Sequence, residues 1–169
     1  MRFVTVLLSA TLLLVALVGP AAAKGKPDRA PYVPEVIAYP ADLYCGFDVL
    51  LADNFAKGMG HFTDTRFVFA GTYKGTVTSR HGTTFYYRLA GNVKVTFRAD
   101  GSLAQVVANG TFMSWYEPGD PAAVAFGGPG IYLHTGRLVE RYAPNGALIS
   151  AISTGPRTTD ICAALAPQD

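Results

Sequence analysis

The chain is poor in reactive side chains: 169 residues hold two cysteines, one tryptophan and three histidines, and only 15% are charged. The spacing of Cys45 and Cys162 excludes a redox-active CxxC pair. His61, His81 and His134 show none of the i, i+2 or i, i+4 spacings of a preassembled metal centre, so no metal is expected. There is no Gly-x-Ser-x-Gly elbow, and the sequence places no base beside Ser114 or Ser150, which removes the usual hydrolase signature. Gly127 to Gly130 contains Pro129 and precedes a strand pattern rather than a helix, so it is not a phosphate loop or dinucleotide fingerprint, and no cofactor is expected. Glu117 and Asp120 fall in a Pro-Gly turn and Glu140 stands beside Arg141. All three acids are expected to face solvent rather than to form a paired-carboxylate site. Basic residues are scattered singly, which argues against nucleic acid or an anionic membrane as a partner.

What is present begins with an export signal. Arg2 precedes an apolar run from Phe3 to Val18, broken by Thr5, Ser9 and Thr11, and Gly19-Pro20-Ala21-Ala22-Ala23 follows before Lys24. A positive start, an apolar stretch and a small-residue site make residues 1–23 a signal peptide cleaved after Ala23, so the product is expected to be secreted. The alternative, an uncleaved anchor, needs roughly 20 apolar residues to cross a bilayer, and this run is shorter. No cysteine stands at the cleavage site to take a lipid, so no membrane association is expected after cleavage. Arg2 is the one charged residue within 1–23, so the 14 Lys+Arg fall to 13 against 12 Asp+Glu.

Residues 24–42 carry Pro27, Pro31, Pro34 and Pro40, which disfavour helix and sheet, and read as an extended N-terminal arm. Residues 43–166 read as one domain. Cys45 opens it and Cys162 nearly closes it, so in an oxidising compartment a Cys45–Cys162 disulfide is the simplest proposal. An intermolecular bridge or two free thiols are the alternatives.

The domain has the alternation of half-buried strands. Phe47, Val49 and Leu51 alternate with Asp48 and Leu50, Tyr73 and Val77 share a face with Gly75, and Val93, Val95 and Phe97 oppose Lys94, Thr96 and Arg98. Turn signals fall at His81-Gly82, Asp100-Gly101, Glu117 to Pro121, Gly127 to Gly130 and Pro144-Asn145-Gly146. The stretches between them exceed the usual strand of about 5–6 residues. They are expected to be long bent strands, or pairs of strands hinged at Gly91, Gly110 and Gly136. The fold class is therefore all-β, an antiparallel meander closing into an eight-stranded β-barrel. A short C-terminal helix is expected from about Thr159 to Leu165, with Thr158 or Thr159 as its N-cap.

Four segments, Leu43-Tyr44-Cys45-Gly46-Phe47, Gly71-Thr72-Tyr73-Lys74-Gly75, Asp100-Gly101-Ser102 and Thr159-Asp160-Ile161-Cys162-Ala163-Ala164-Leu165, resemble a group of exported, uncharacterised actinobacterial proteins. The strand order and glycine-rich hairpins are also similar to allene-oxide-cyclase-like and dirigent-like eight-stranded barrels. That resemblance implies steering of a hydrophobic molecule in a central cavity, and it carries no catalytic residue onto this chain.

The candidate ligand-binding residues are the aromatic cluster of Phe112, Trp115 and Tyr116, the second cluster at Tyr86 and Arg88, and His134, placed between Tyr132 and Gly136 on one face of a strand. Plain barrel core, a surface arginine and a hydrogen-bonded structural histidine are the competing readings. The leading expectation is a secreted β-barrel that binds a small apolar molecule. The alternatives are a cyclase- or isomerase-type enzyme and an extracellular protein-interaction or inhibitor module.

Overall fold

The computed structural model describes residues 36–167. The predicted signal peptide and residues 24–35 of the predicted arm lie outside them. Strand β1 (Val36–Tyr39) is followed by β2 (Val49–Thr63), β3 (Arg66–Ser79), β4 (Thr84–Phe97) and β5 (Leu103–Tyr116). A 3-10 turn (Ala123–Phe126), β6 (Gly130–Tyr142), β7 (Leu148–Asp160) and helix α1 (Ile161–Leu165) complete the order. The strands form one sheet in chain order, every neighbouring pair antiparallel. The meander and the C-terminal helix match the expectation. The strand number is seven rather than eight, because each stretch between turns is a single strand of 13 to 15 residues that runs through its glycine. Among the described residues the sheet is open, with β1 and β7 at its edges.

Strand β1 lies within the predicted arm and pairs with β2 from Val36↔Ala52 to Tyr39↔Val49. Pro40, which has no N–H to offer, follows its last residue. Helix α1 begins at Asp160, whose side chain accepts from the Ala163 N–H at 2.9 Å. The cap is thus one or two residues later than Thr158 or Thr159.

One row of residues shapes the sheet. Gly58 pairs with Gly71, Gly71 with Gly91, Gly91 with Gly110 and Gly110 with Gly136, so glycine stands at matching positions in five consecutive strands. Gly155 of β7 packs against Gly136 and extends the row to six. A Cβ on Gly91 would run into the Asn109 carbonyl oxygen, one on Gly155 into the Thr135 oxygen, and one on Gly110 into the Ala90 oxygen. Neighbouring backbones therefore occupy the space a side chain would need. Gly110 also has φ +110°, a region that L side chains rarely adopt.

The row divides the sheet. On one side, β4 parts from β5: their pairing runs from Ala90↔Thr111 to Phe97↔Leu103, and residues 84–89 pair with β3 while 112–116 pair with β6. This parting lets Tyr87 and Leu89 of β4 pack with Met113, Trp115, Ile131 and Leu133 in a core shared with Val49, Leu51 and Val77. Helix α1 covers that core through Ile161 and Leu165, which are fully buried one turn apart. A five-residue helix has no stability of its own, so burial and the Cys45–Cys162 disulfide (Cα–Cα 5.0 Å) hold it. The other side carries the β2–β3 hairpin end and a second cluster that includes Ala108, Leu138 and Ala151. We call the two sides the disulfide half and the hairpin half.

Gly110→Ala meets both a forbidden φ and a backbone collision and should cost about 2–4 kcal/mol. Gly101→Ala has φ +83° but open space around the new methyl, and should cost about 1 kcal/mol. Urea unfolding of both variants measures the difference, and equal losses would remove the row from this account. The disulfide closes a loop of 117 residues, so the double variant Cys45→Ala/Cys162→Ala should lose about 2–5 kcal/mol. An unchanged unfolding midpoint would show that the bridge contributes nothing.

Candidate functional site

Strand alternation puts Phe112, Ser114 and Tyr116 of β5 on one face, and the register Phe112↔His134, Ser114↔Tyr132 and Val106↔Glu140 brings β6 residues beside them. The result is a chain of polar side chains inside an aromatic cluster. Thr158 Oγ1 lies 3.2 Å from His134 Nδ1, and His134 Nε2 lies 2.7 Å from Ser114 Oγ. Ser114 hydrogen-bonds the Tyr116 side chain. Tyr116 donates to Glu140 Oε1 at 3.0 Å and Tyr142 donates to Glu140 Oε2 at 2.8 Å.

With one proton per hydroxyl, the chain has one consistent direction. Thr158 donates to Nδ1, the Nε2 tautomer of His134 donates to Ser114, Ser114 donates to Tyr116, and both phenols donate to Glu140. The histidine tautomer is assigned from this network. Every donor points toward the one carboxyl group.

The segment between β5 and β6 closes over this chain. Phe126 stacks on Tyr116 with ring centroids 5.2 Å apart and meets His134 edge-on at 5.0 Å, while Phe112 stacks on His134 at 5.3 Å. Tyr132 ties the segment down by donating to the Gly128 carbonyl at 2.9 Å. At the far end, the Arg98 guanidinium donates to the carbonyl oxygens of Leu103, Tyr142 and Ala143, which joins the β4–β5 turn to the β6–β7 turn and fixes the backbone of Tyr142.

Burial sets the ionisation. His134 has no exposed surface, and its pKa falls from 6.5 to about 4 because burial penalises the cation. Burial likewise raises Glu140, against the opposing pull of the two phenol hydrogen bonds. Tyr116 and Tyr142 are both pushed up, by burial first and then by the charge of Glu140.

The polar chain leads onto an apolar face. The residues paired across the hairpin half form two rows on the same face as Glu140. One runs Phe62, Phe67, Val95, Val106, Glu140, Ala151, and the next runs Gly60, Phe69, Val93, Ala108, Leu138, Ser153. Phe62 stacks on Phe67 at 4.2 Å, and Phe67, Phe69 and Tyr73 continue the strip at 6.5 and 5.4 Å. A methyl on Gly60 would stand 2.9 Å from the Phe67 ring, and one on Gly58 would enter the Phe69 ring. These glycines let the rings lie flat across β2.

The six candidate ligand-binding residues are divided by the fold. Phe112, Tyr116 and His134 meet in the polar chain and its aromatic cover. Trp115 points from the other face of β5 into the disulfide half, its Nε1 buried without a hydrogen-bond partner. Tyr86 is 80% exposed and Arg88 also faces solvent. The expectation for the acids needs correction. Glu140 is buried, because it shares the parity of Tyr132, His134 and Leu138 on β6, while Glu117 and Asp120 are half-buried, with Tyr44 donating to Glu117 at 3.5 Å. The sequence reading missed Glu140, Tyr142 and the rings of Phe62, Phe67 and Phe69. Extending the His134 alternation six strand positions to Glu140, past Gly136 and Leu138, would have found the acid. Among the described residues no three His, Cys, Asp or Glu side chains gather as a metal site would require.

The depressed His134 pKa makes stability depend on pH with a definite sign. Between about pH 6.5 and pH 4 the unfolded chain takes up a proton that the folded imidazole refuses, so this contribution is complete above pH 6.5 and is lost as pH falls toward 4. The loss is on the order of 2 kcal/mol. Glu140 acts in the opposite sense, its raised pKa favouring the fold at low pH and losing that contribution as pH rises past 4.5. Urea unfolding across pH 4 to 7 should therefore show a shallower acid-side decline in His134→Gln than in the wild type. Parallel curves would show that the imidazole does not titrate differently on folding.

Compared with known proteins, the chain matches no family model, no curated protein and no solved structure.

Proposed function

We propose that this chain is an exported binding protein that holds a small apolar molecule on the ring-bearing face of its hairpin half. The strip of Phe62, Phe67, Phe69 and Tyr73 carries the reading: Phe62 is 43% exposed and the other three rings are half-buried, so a contiguous aromatic surface remains open to a ligand. Gly58 and Gly60 keep the rings flat, and Val93 and Val95 continue the apolar floor away from them. Such a surface takes up an apolar molecule by removing ring area from water, at about 25 cal/mol per Å².

Closure into a barrel belongs to the same proposal. Among the described residues, strand β1 covers β2 only as far as Ala52 and no strand pairs with the rest of that edge or with the outer edge of β7. In this meander β2 and β7 run antiparallel to each other, and a molecule lying between them gives both edges a common surface to close on. The Cys45–Cys162 disulfide fits the oxidising, extracellular location that goes with the reading.

A neutral apolar dye, N-phenyl-1-naphthylamine, tests the site by its fluorescence. The wild type should bind it saturably, and the double variant Phe67→Ser/Phe69→Ser should bind at least about tenfold more weakly. Phe55 is equally exposed but lies on the opposite face, beneath the Lys74 ammonium, so Phe55→Ser should leave binding unchanged. Equal affinity in the double variant and the wild type, or an equal loss in the Phe55 control, would remove this reading.

A further inference from the structure

We propose that the molecule held on this face is a cationic amphiphile, an alkylammonium whose chain lies along Phe62, Phe67 and Phe69 and whose head group pairs with Glu140. The inference rests on the apolar-face reading above and adds the chemistry of the ligand's polar end.

Three observations carry it. First, Glu140 is the one ionisable side chain among the twelve positions of the two rows, and it stands in line with Phe62 and Phe67. A molecule lying along the row meets one polar group, and that group is an acid. Three strand spacings separate Phe67 from Glu140, a span of about 14 Å that suits a long alkyl chain.

Second, the side chains that face Glu140 offer it no positive charge. They are the phenols of Tyr116 and Tyr142 and the carboxylate of Asp120, which adds a second negative field. Arg141 is its neighbour in sequence, but alternation sends that side chain to the exposed face. A carboxylate head group would be repelled by two acids, whereas an ammonium is attracted by both.

Third, the carboxyl group is held ready. Each oxygen accepts one phenol hydrogen and retains acceptor capacity for an ammonium N–H. Tyr116 is pinned by Ser114 and the Phe126 ring, and Tyr142 by the Arg98 clamp on its backbone, so the acid has little freedom to turn away.

Calorimetric titration at about pH 7 with dodecylammonium, dodecanol and dodecanoate, each below its micelle concentration, separates the outcomes. Dodecylammonium should bind about tenfold more tightly than dodecanol, and dodecanoate most weakly. Glu140→Gln should remove most of the preference for the amine over dodecanol. In the wild type alone, the preference for the amine over dodecanol should weaken as pH is lowered, because protonating Glu140 removes the charge the ammonium pairs with. That readout needs no variant and stands if Glu140→Gln fails to fold. Equal affinity for amine and alcohol, or an amine preference that does not change as pH is lowered, would overturn the ammonium assignment while the apolar face survives. Failure of all three probes to bind would instead remove the apolar face, and this inference with it.

Discussion

Where Gly58, Gly71, Gly91, Gly110, Gly136 and Gly155 stand side by side, the backbones of adjacent strands come closer than any side chain permits. A sheet ordinarily keeps its strands about 4.8 Å apart with side chains filling both faces. Removing six of them along one line lets each long strand cross from one environment to another without ending. That is why strands of 13 to 15 residues persist here, and why the sheet can divide between β4 and β5 on one side of the line while remaining continuous on the other. The division in turn lets β4 present Tyr87 and Leu89 to Met113 and Trp115, which makes the disulfide half a packed core rather than a single covered sheet.

The two halves solve the problem of covering a sheet in different ways. In the disulfide half, Ile161 and Leu165 are buried completely, each contributing about 1.5–3 kcal/mol, and the bridge to Cys45 keeps their short helix where it can be buried. Among the described residues the hairpin half has no such lid over β2 and β3. Among the described residues, the segment carrying Phe126 covers Tyr116, Tyr132 and His134 on the β5–β6 side and leaves Phe62, Phe67 and Phe69 partly open. The closed half supplies rigidity, and the open half supplies surface.

Much of this was legible in the sequence because it follows from local rules. Alternation around Val93, Val95 and Phe97 fixed a strand, and Asp-Gly and Asn-Gly marked turns. Two cysteines bracketing the domain left one intramolecular pairing. The glycines at 91, 110 and 136 were visible as special positions, but their alignment into one row depends on register across five strands, which no single segment carries. A glycine inside a long stretch reads equally as a bend in one strand or a hinge between two, and here each lies within one long strand, which leaves seven strands rather than eight. At the site, Phe112 and Tyr116 stand out by their clustering and His134 by its place between Tyr132 and Gly136 on one strand face. Glu140 was set aside because Arg141 follows it, although neighbours in a strand face opposite ways and an adjacent charge says nothing about burial. Ser114 showed no imidazole neighbour in sequence because its hydrogen-bond partner, His134, arrives from the next strand.

Glu140 is the feature that packing alone does not require. A buried carboxyl group costs several kcal/mol in lost hydration, and leucine in its place would sit comfortably beside Leu138 and Ala108. Instead, Thr158, His134, Ser114, Tyr116 and Tyr142 are arranged so that their hydrogen bonds run toward it, a larger investment in polar groups than this core needs. Two phenols can stabilise a carboxylate by hydrogen bonding, but they carry no charge, and Asp120 adds to the negative field rather than offsetting it. The protein therefore holds an acid in apolar surroundings, each oxygen bonded to one phenol and no cation among the described side chains that face it, in line with rings partly open to solvent. The one group that would complete this arrangement is a positive charge on an apolar chain.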